Sequence, residues 1–375
     1  MNQIVPAAIG VGVTRFGKLP EHDLNSLGIW ALHEAIADCG IEKSAIDGLI
    51  LHRIPDYERF ICVAGLQPSF VSAVPPQGRM SGAALMTATQ LIKSGAARCI
   101  ALVYANEGRS ARTRGSKSDD RDAGADDQLW APYGMTSNSV PALQFQRHRN
   151  LYGTKTDQLG EISVAFRNHA ALNPTAVMRN PITIEDYRAA RLICEPLRLL
   201  DYCVISDGAV AMILASSELA HDFKKTPVFL RGYALASRLH EGEFSEDLGR
   251  SVMASVADRT FAMAGVTHAE IDALMVYDNF TPNVLFSLEG YGFCPVGESG
   301  PWVQDGCLRL GGRYPSNTNG GHLSDSYMHG WSLNVEAVRQ LGQECGARQV
   351  KKARHVQYIS GGPICSSIIY GLDKT

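Results

Sequence analysis

The chain has little that would place it in a membrane, outside the cell or on nucleic acid. No apolar stretch approaches the roughly 18 residues that span a bilayer, and the N-terminus lacks the charged and apolar segments of a signal peptide. Charged residues make up only 19% of the 375 residues, and the net charge is -3. Such a weak negative balance argues against nucleic acid or a membrane surface as the main partner. We expect a cytoplasmic protein.

Patterns typical of metal sites and disulfide frameworks are also missing. The nine cysteines are scattered, their number is odd, and none belongs to a C-x-x-C pair. This usage is typical of buried, reduced thiols. We expect no metal and no bound cofactor in this chain.

Strand-like apolar runs alternate with helical patterns. Two segments, 24–39 and 81–93, have helical apolar spacing and are closely followed by glycine. Continuous apolar strands between helices predict an α/β protein whose mainly parallel sheet is covered on both faces. The runs that predict strands in the first half are 7–16, 46–52, 70–74, 99–104 and 207–215.

The middle of the first half has a different character. Residues 108–128 are polar and predict a loop, whereas 158–170 and 184–194 predict helices. We expect an insertion at about 108–200.

The second half repeats the pattern of the first. Residues 227–236 resemble the first strand, and residues 35–51 match 261–276. Each matching stretch runs from a helix end through glycine and a short polar link into a strand, with Asp47 and Asp272 in the same place. Self-similarity at this scale predicts duplicated βα halves, which we place at residues 1–225 and 226–375.

Several short motifs follow one another in a fixed order. They are Ser206-Asp207-Gly208-Ala209, Tyr277-Asp278-Asn279-Phe280, the run 288–295, Asn317, Gly320-Gly321, Ser324, His329-Gly330 and Gly361-Gly362. In this order, over essentially the whole chain, they resemble the thiolase superfamily, and within it the sterol-carrier-protein-type branch. The resemblance implies a thiolase fold, a duplicated five-layer αβαβα core with a helical and loop insertion in the N-terminal half.

The positions that carry thiolase chemistry are changed. The nucleophilic cysteine falls on Gly78 in one alignment and on Arg79 in another, and neither residue can form a thioester. The histidine of the family falls on Tyr327, and the first residue of the His-Asp-x-Phe motif is Tyr277. The second cysteine of degradative thiolases falls on Ile359. The usual acyl-enzyme route is therefore missing.

Two phenols in one pocket suit carbon–carbon cleavage without a covalent intermediate. The pattern resembles the thiolase-like aldolases of steroid side-chain degradation, in which tyrosines at these positions are catalytic. The resemblance implies cleavage of a 3-hydroxyacyl-CoA, expected to be a steroid side-chain thioester, to a ketone and a shortened acyl-CoA such as propionyl- or acetyl-CoA. We assign Tyr277 as base and Tyr327 as acid, although these roles can be reversed.

The surroundings of the pair are expected to include the former oxyanion region. Its residues are Gly78, Arg79, Gly320, Gly321, His322, Ser360, Gly361 and Gly362. A tyrosine base needs a lowered pKa, for which His322, His329 and Arg79 are candidate sources. Glycine in place of the cysteine also leaves room for a branched carbon.

The resemblance implies partners as well. Thiolases form homodimers, and the related aldolases pair with a small subunit carrying an OB-fold and a zinc ribbon, giving a heterotetramer. Any zinc would belong to that partner, and coenzyme A enters only as part of the substrate.

Two other functions stay open at this point. A catalytically inactive subunit that binds acyl-CoA or lipid fits the missing cysteine equally well. An acyltransferase with another nucleophile fits less well, because no serine or cysteine is well placed in the sequence. The presence of protic side chains at both former catalytic positions favours the aldolase.

Overall fold

The computed structural model describes residues 5–113, 131–133, 135, 138–219, 225–237 and 245–373. The strands in this part of the chain are β1 (Ala7–Val13), β2 (Gly48–His52), β3 (Phe70–Val74), β4 (Cys99–Glu107), β5 (Leu192–Cys194), β6 (Leu197–Arg198), β7 (Asp207–Ala215), β8 (Val228–Ser237), β9 (Ala273–Val276), β10 (His355–Ser360) and β11 (Ile364–Gly371). The α-helices are α1 (Leu24–Cys39), α2 (Tyr57–Ala64), α3 (Ser81–Lys93), α4 (Gly108–Thr113), α5 (Val140–Tyr152), α6 (Thr156–Ala171), α7 (Ile184–Ala189), α8 (Arg250–Ala264), α9 (Thr281–Gly290), α10 (Ser299–Gln304), α11 (Gly321–Ser324) and α12 (Trp331–Leu341).

The main sheet joins the two halves of the chain. Its strand order is β3-β2-β4-β7-β1-β8-β11-β10-β9, and the halves meet where β1 pairs briefly with β8. Helices α3 and α12 contact strands of both halves and lie between them, whereas α1 packs on the first half and α8 on the second. The layers follow one another as outer helices, half-sheet, inner helices, half-sheet and outer helices. This confirms the predicted five-layer αβαβα arrangement.

The expectation of a mainly parallel sheet is wrong. Strand β2 runs parallel to β3 and β4, and β10 runs parallel to β9, but the other neighbours in the main sheet are antiparallel. The apolar runs arise because helices cover both faces of the strands. Strand β7, for example, is buried at every residue although both of its neighbours are antiparallel to it. An apolar run therefore reports burial and not strand direction.

The duplication is visible in matched hydrogen bonds. The Asp47 carboxylate accepts the N–H of Cys99 at the start of β4 (2.8 Å), and the Asp272 carboxylate accepts the N–H of His355 at the start of β10 (3.0 Å). In each half the aspartate precedes a strand that runs parallel to the one it caps. The same carboxylate thus aligns two parallel strands in both halves.

The insertion differs in two places from the expectation. Helix α4 begins where a loop was predicted, because the buried Asp207 accepts the N–H groups of Arg109 and Ser110 (both 2.9 Å) and so caps its first turn. The rest of the predicted loop, 114–128, lies outside the described residues. The helix predicted at 184–194 ends at Ala189, since Ala190 is extended and the next residues form β5.

Within the described ranges, no helix is long and apolar enough to cross a membrane. All nine cysteines are free; six are buried, Cys194 and Cys203 are partly buried, and Cys62 is exposed. The expected burial therefore fails at Cys62. The same residues contain no group of three or more His, Cys, Asp or Glu side chains arranged to hold a metal. The absence of a cofactor stays a prediction.

Candidate active site

Two tyrosines from different loops lie side by side in the buried core. Tyr277 directly follows β9, and its N–H donates to the carbonyl of Ile359 on β10 (2.9 Å). Tyr327 lies between α11 and α12, where its N–H donates to the hydroxyl of Ser206 (3.2 Å). The two phenol oxygens are 3.2 Å apart, within hydrogen-bonding distance. The fold thus brings together the two side chains that the sequence analysis assigned as base and acid.

Gly78 faces both phenol oxygens. A Cβ atom added at Gly78 would lie 2.6 Å from the Tyr277 oxygen and 3.4 Å from the Tyr327 oxygen. Of the two positions left open for the thiolase cysteine, Gly78 is therefore the one whose side-chain direction points at the pair. The Tyr277 hydroxyl therefore fills the room that a side chain at Gly78 would need, and the expectation that this glycine leaves room for a branched carbon is wrong.

Arg79 is the residue that follows Gly78. Its backbone is left-handed, with φ of 69°, and its guanidinium carbon lies 5.5 Å from the centre of the Tyr277 ring. The guanidinium fills the room that Gly362 leaves, because a Cβ there would come within 2.8 Å of Cζ. Arg79, Gly361 and Gly362 line a small cavity together with Phe280, which ends the motif that begins with Tyr277.

His322 lies behind both phenol rings. Its ring centre is 4.6 Å from that of Tyr277 and 5.2 Å from that of Tyr327. Nε2 accepts the N–H of Gly330 (3.0 Å), which assigns the proton to Nδ1, 3.4 Å from Oδ1 of Asp278. Burial lowers the pKa of His322 to about 3. The imidazole is therefore neutral, and its nitrogens are directed at groups other than the phenols.

The electrostatics of the pair are dominated by burial, which raises the pKa of both Tyr277 and Tyr327. The charge of Arg79 opposes this effect on both phenols, and their mutual hydrogen bond lowers the pKa of Tyr277 while it raises that of Tyr327. His329 packs with its ring centre 4.7 Å from that of Tyr327, and burial keeps it neutral by lowering its pKa. Of the three candidate sources of a lowered pKa, Arg79 is the cation.

Asp278 ties the two tyrosine-bearing segments together, a role that the sequence analysis missed. Its Oδ1 accepts the N–H of His322 (2.8 Å) and its Oδ2 accepts the N–H of Leu323 (3.2 Å). Gly321 has to be glycine here, because a Cβ would lie 2.1 Å from Oδ2. Burial raises the pKa of Asp278 to about 7. The sequence signal that could have indicated this role is the carboxylate that directly follows Tyr277 in the motif.

A histidine bridge holds the loop that contains Gly78. The indole N–H of Trp331 donates to Nδ1 of His52 (2.9 Å), so the proton of this imidazole is on Nε2. That nitrogen donates to the carbonyl of Gln77 (3.2 Å). The bridge joins the end of β2 to the start of α12 and sets the position of the residue before Gly78. No sequence signal links these residues, which lie far apart along the chain.

The remaining predicted oxyanion residues fall into two groups. Gly361 and Gly362 line the cavity. Gly320 packs against α6, Gly321 against the Asp278 carboxylate, and the fully buried Ser360 hydroxyl bonds to a neighbouring serine at 3.0 Å. The observed contacts of this second group are structural, and its role at a thioester stays a prediction.

Cys203 is a further thiol near the pair. It is partly buried, its N–H donates to the carbonyl of Asn279 (3.0 Å), and a charge on its sulfur would raise the pKa of both Tyr277 and Tyr327. No motif in the sequence singles out Cys203 from the other cysteines.

Comparisons with known proteins agree with this architecture. A family model described as Thiolase C-terminal domain-like matches residues 236–370. A steroid side-chain-cleaving aldolase of Thermomonospora curvata is 34% identical, with 98% of each chain covered. A 17-hydroxy-3-oxo-4-pregnene-20-carboxyl-CoA lyase of Mycobacterium tuberculosis is also 34% identical, covering 97% of this chain and 98% of the relative. The solved Ltp2-ChsH2(DUF35) aldolase aligns with a TM-score of 0.90 and 32% identity, over 99% of this chain and 98% of that one.

The chain therefore belongs to the thiolase superfamily, in the branch of the steroid side-chain-cleaving aldolases.

Proposed function

We propose that the chain is a carbon–carbon lyase. It cleaves a carbon–carbon bond in the side chain of a steroid CoA thioester by a retro-aldol reaction. The observation that carries this proposal is the pair of phenol oxygens of Tyr277 and Tyr327, 3.2 Å apart beside Gly78, which has no side chain. Two relatives that match almost the entire chain are named for such cleavage. Acyl transfer would need a nucleophile where Gly78 has no side chain.

The proposed reaction needs two proton transfers and one carbon–carbon bond cleavage. Tyr277, as a phenolate, takes the proton of the 3-hydroxyl group of the substrate. That oxygen becomes the ketone carbonyl, the bond between carbons 2 and 3 breaks, and its electron pair enters the thioester as an enolate. Tyr327 then donates its proton to carbon 2. The proton collected by Tyr277 passes to Tyr327 across the 3.2 Å hydrogen bond, which restores the starting state.

The proposed substrate is a 3-hydroxyacyl-CoA whose carbon 3 is a hydroxylated ring carbon. A relative is named for 17-hydroxy-3-oxo-4-pregnene-20-carboxyl-CoA, a thioester of this class. Breaking its bond between carbons 2 and 3 leaves a ring ketone, and the remaining three-carbon piece leaves as propionyl-CoA. A thioester without the methyl branch on carbon 2 gives acetyl-CoA instead.

We also propose two kinds of assembly. Strand β3 ends the sheet order and, within the described residues, pairs only with β2, while its own residues are at least partly exposed. Such an open edge supports a homodimer.

The name of the Ltp2-ChsH2(DUF35) aldolase supports a small partner subunit, for which we propose an OB-fold and zinc ribbon in a heterotetramer. Any zinc would then lie on that partner. The mass of the co-expressed complex tests both proposals. A cytoplasmic location stays a prediction.

The experiment that tests the reaction is product analysis. The chain, co-expressed with its partner, is incubated with the 17-hydroxy thioester, and the ketone and propionyl-CoA are measured by mass spectrometry. Tyr277→Phe and Tyr327→Phe should each lower the turnover by about 100-fold or more. Tyr314→Phe is the matched control, because it removes a hydroxyl that donates to the carbonyl of His268 (3.0 Å). Unchanged turnover in both test variants would mean that the phenols do not carry the reaction.

A further inference from the structure

The proposed base has to ionise inside a buried site. Tyr277 is only 1% exposed, and water therefore contributes little to stabilising a phenolate at this position. Something in the protein has to supply the opposing charge. The described groups that face Tyr277 or act on its charge are Tyr327, His322, Tyr358, Cys203 and Arg79.

Only one of these five groups is positive at neutral pH. Tyr327 and Tyr358 are phenols, and Cys203 is a thiol, so each is neutral or negative. His322 is neutral because it is fully buried and its Nε2 accepts a backbone N–H. The guanidinium of Arg79 keeps its charge at any pH at which a protein folds.

The backbone and one glycine hold this charge in place. Arg79 adopts a left-handed conformation, with φ of 69°, that is costly for a residue with a side chain. Gly362, with φ of 127°, has no side chain on the face that the guanidinium occupies. The result is a cation 5.5 Å from the centre of the Tyr277 ring. The left-handed backbone of Arg79 and the missing side chain at Gly362 together allow this contact.

We propose that Arg79, whose guanidinium lies over the Tyr277 ring, is the electrostatic partner that stabilises the Tyr277 phenolate and thereby favours Tyr277 as the base of the reaction. This inference rests on the proposed retro-aldol function. When Tyr277 accepts the substrate proton, the negative charge moves into the enolate and then to Tyr327 as carbon 2 is protonated. The charge stays within the same small space throughout, so the Arg79 guanidinium stabilises each stage. Arg79 exchanges no proton with the substrate; it acts through its effect on the charge of Tyr277 and is therefore a positioning residue.

The test is the pH profile of kcat/KM for carbon–carbon cleavage of the CoA thioester substrate by the co-expressed complex. A unit charge at this distance changes a pKa by about one to two pH units at a typical protein dielectric. In Arg79→Gln the Tyr277 pKa rises, so the rising limb of the profile should move up by that amount. The rate near neutral pH should fall by about 10- to 100-fold and recover as the pH is raised. Arg79→Lys, which keeps a cation, should move the limb less.

Arg53→Gln is the matched control. Arg53 also has a left-handed backbone, with φ of 62°; its guanidinium donates to the carbonyl of Pro76 (3.4 Å), and its charge acts on His52 and His329. The control should keep the wild-type limb. A second variant, Gly362→Ala, leaves the charge and displaces it, and should move the limb in the same direction as Arg79→Gln.

The outcomes separate the two proposals. If the wild-type complex cleaves the carbon–carbon bond and Arg79→Gln is slower by one factor at every pH, the limb has not moved and Arg79 is not the partner of the phenolate. If Arg53→Gln moves the limb equally, the effect comes from net charge, and the assignment is also wrong. If the wild-type complex shows no cleavage at any pH, the proposed function itself fails.

Discussion

Replacing Gly78 by alanine tests the central geometry with a single methyl group. The new Cβ would lie 2.6 Å from the Tyr277 oxygen, whereas an ordinary contact is at least 3.4 Å, so that oxygen has to move by about 0.8 Å. Tyr277 is 1% exposed and cannot move freely. A misplacement of about 1 Å can cost about 100-fold in rate, and overpacking costs about 1–3 kcal/mol of stability.

The assay combines turnover with thermal unfolding. We expect Gly78→Ala to lose most of its cleavage activity and to unfold at a lower temperature. In a Tyr277→Phe background the methyl group meets the ring carbon at an ordinary 3.7 Å, so the stability loss should vanish while activity stays low. Gly342→Ala is the control, since its φ is -72° and its Cβ comes closest to the flexible end of Glu344 (3.0 Å) and meets the Val338 carbonyl at an ordinary 3.4 Å. Wild-type turnover in Gly78→Ala would refute the geometry.

Three further predictions follow from the neighbourhood of the pair. Cys203→Ser should keep the wild-type turnover. Loss of turnover in this variant, together with an acyl adduct on the thiol of the wild-type protein, would instead favour acyl transfer. Trp331→Phe leaves Nδ1 of the buried His52 without its donor and shrinks a fully buried side chain, so it should lower the free energy of unfolding by at least about 1–3 kcal/mol in chemical denaturation. Burial lowers the pKa of His52 from 6.5 to about 3, so the unfolded chain binds its proton first as the pH falls. Stability should therefore decline from about pH 6.5 towards pH 3, and less steeply in His52→Gln.

Local sequence signals predicted much of the fold. The bounds of α1 and α3 coincide with the predicted ones, and Gly40 ends α1 in the left-handed conformation that glycine favours. The matched positions of Asp47 and Asp272 followed from the repeat alone. Strand direction could not be predicted, because helices on both faces make antiparallel strands such as β7 as apolar as parallel ones. The start of α4 was missed because its cap, Asp207, is distant in sequence.

The candidate site was predicted only as far as single positions could be matched to a family. The motif matches indicated Tyr277, Tyr327 and Gly78, but their mutual distances depend on contacts between the two halves of the chain. The bridge from Trp331 through His52 to the Gly78 loop has no local pattern, since each residue lies on a different element. Likewise, no spacing in the sequence indicates that Gly362 makes room for the guanidinium beside Tyr277. These features arise from tertiary packing.

Cleavage in heavy water, without added free coenzyme A, tests the central claim most directly. Retro-aldol chemistry through the Tyr277–Tyr327 pair predicts a ketone and an acyl-CoA that carries one solvent deuterium on carbon 2. The intact mass of the protein should not change during turnover. Cleavage that depends on added coenzyme A, or a protein that gains the mass of an acyl group, would contradict the account.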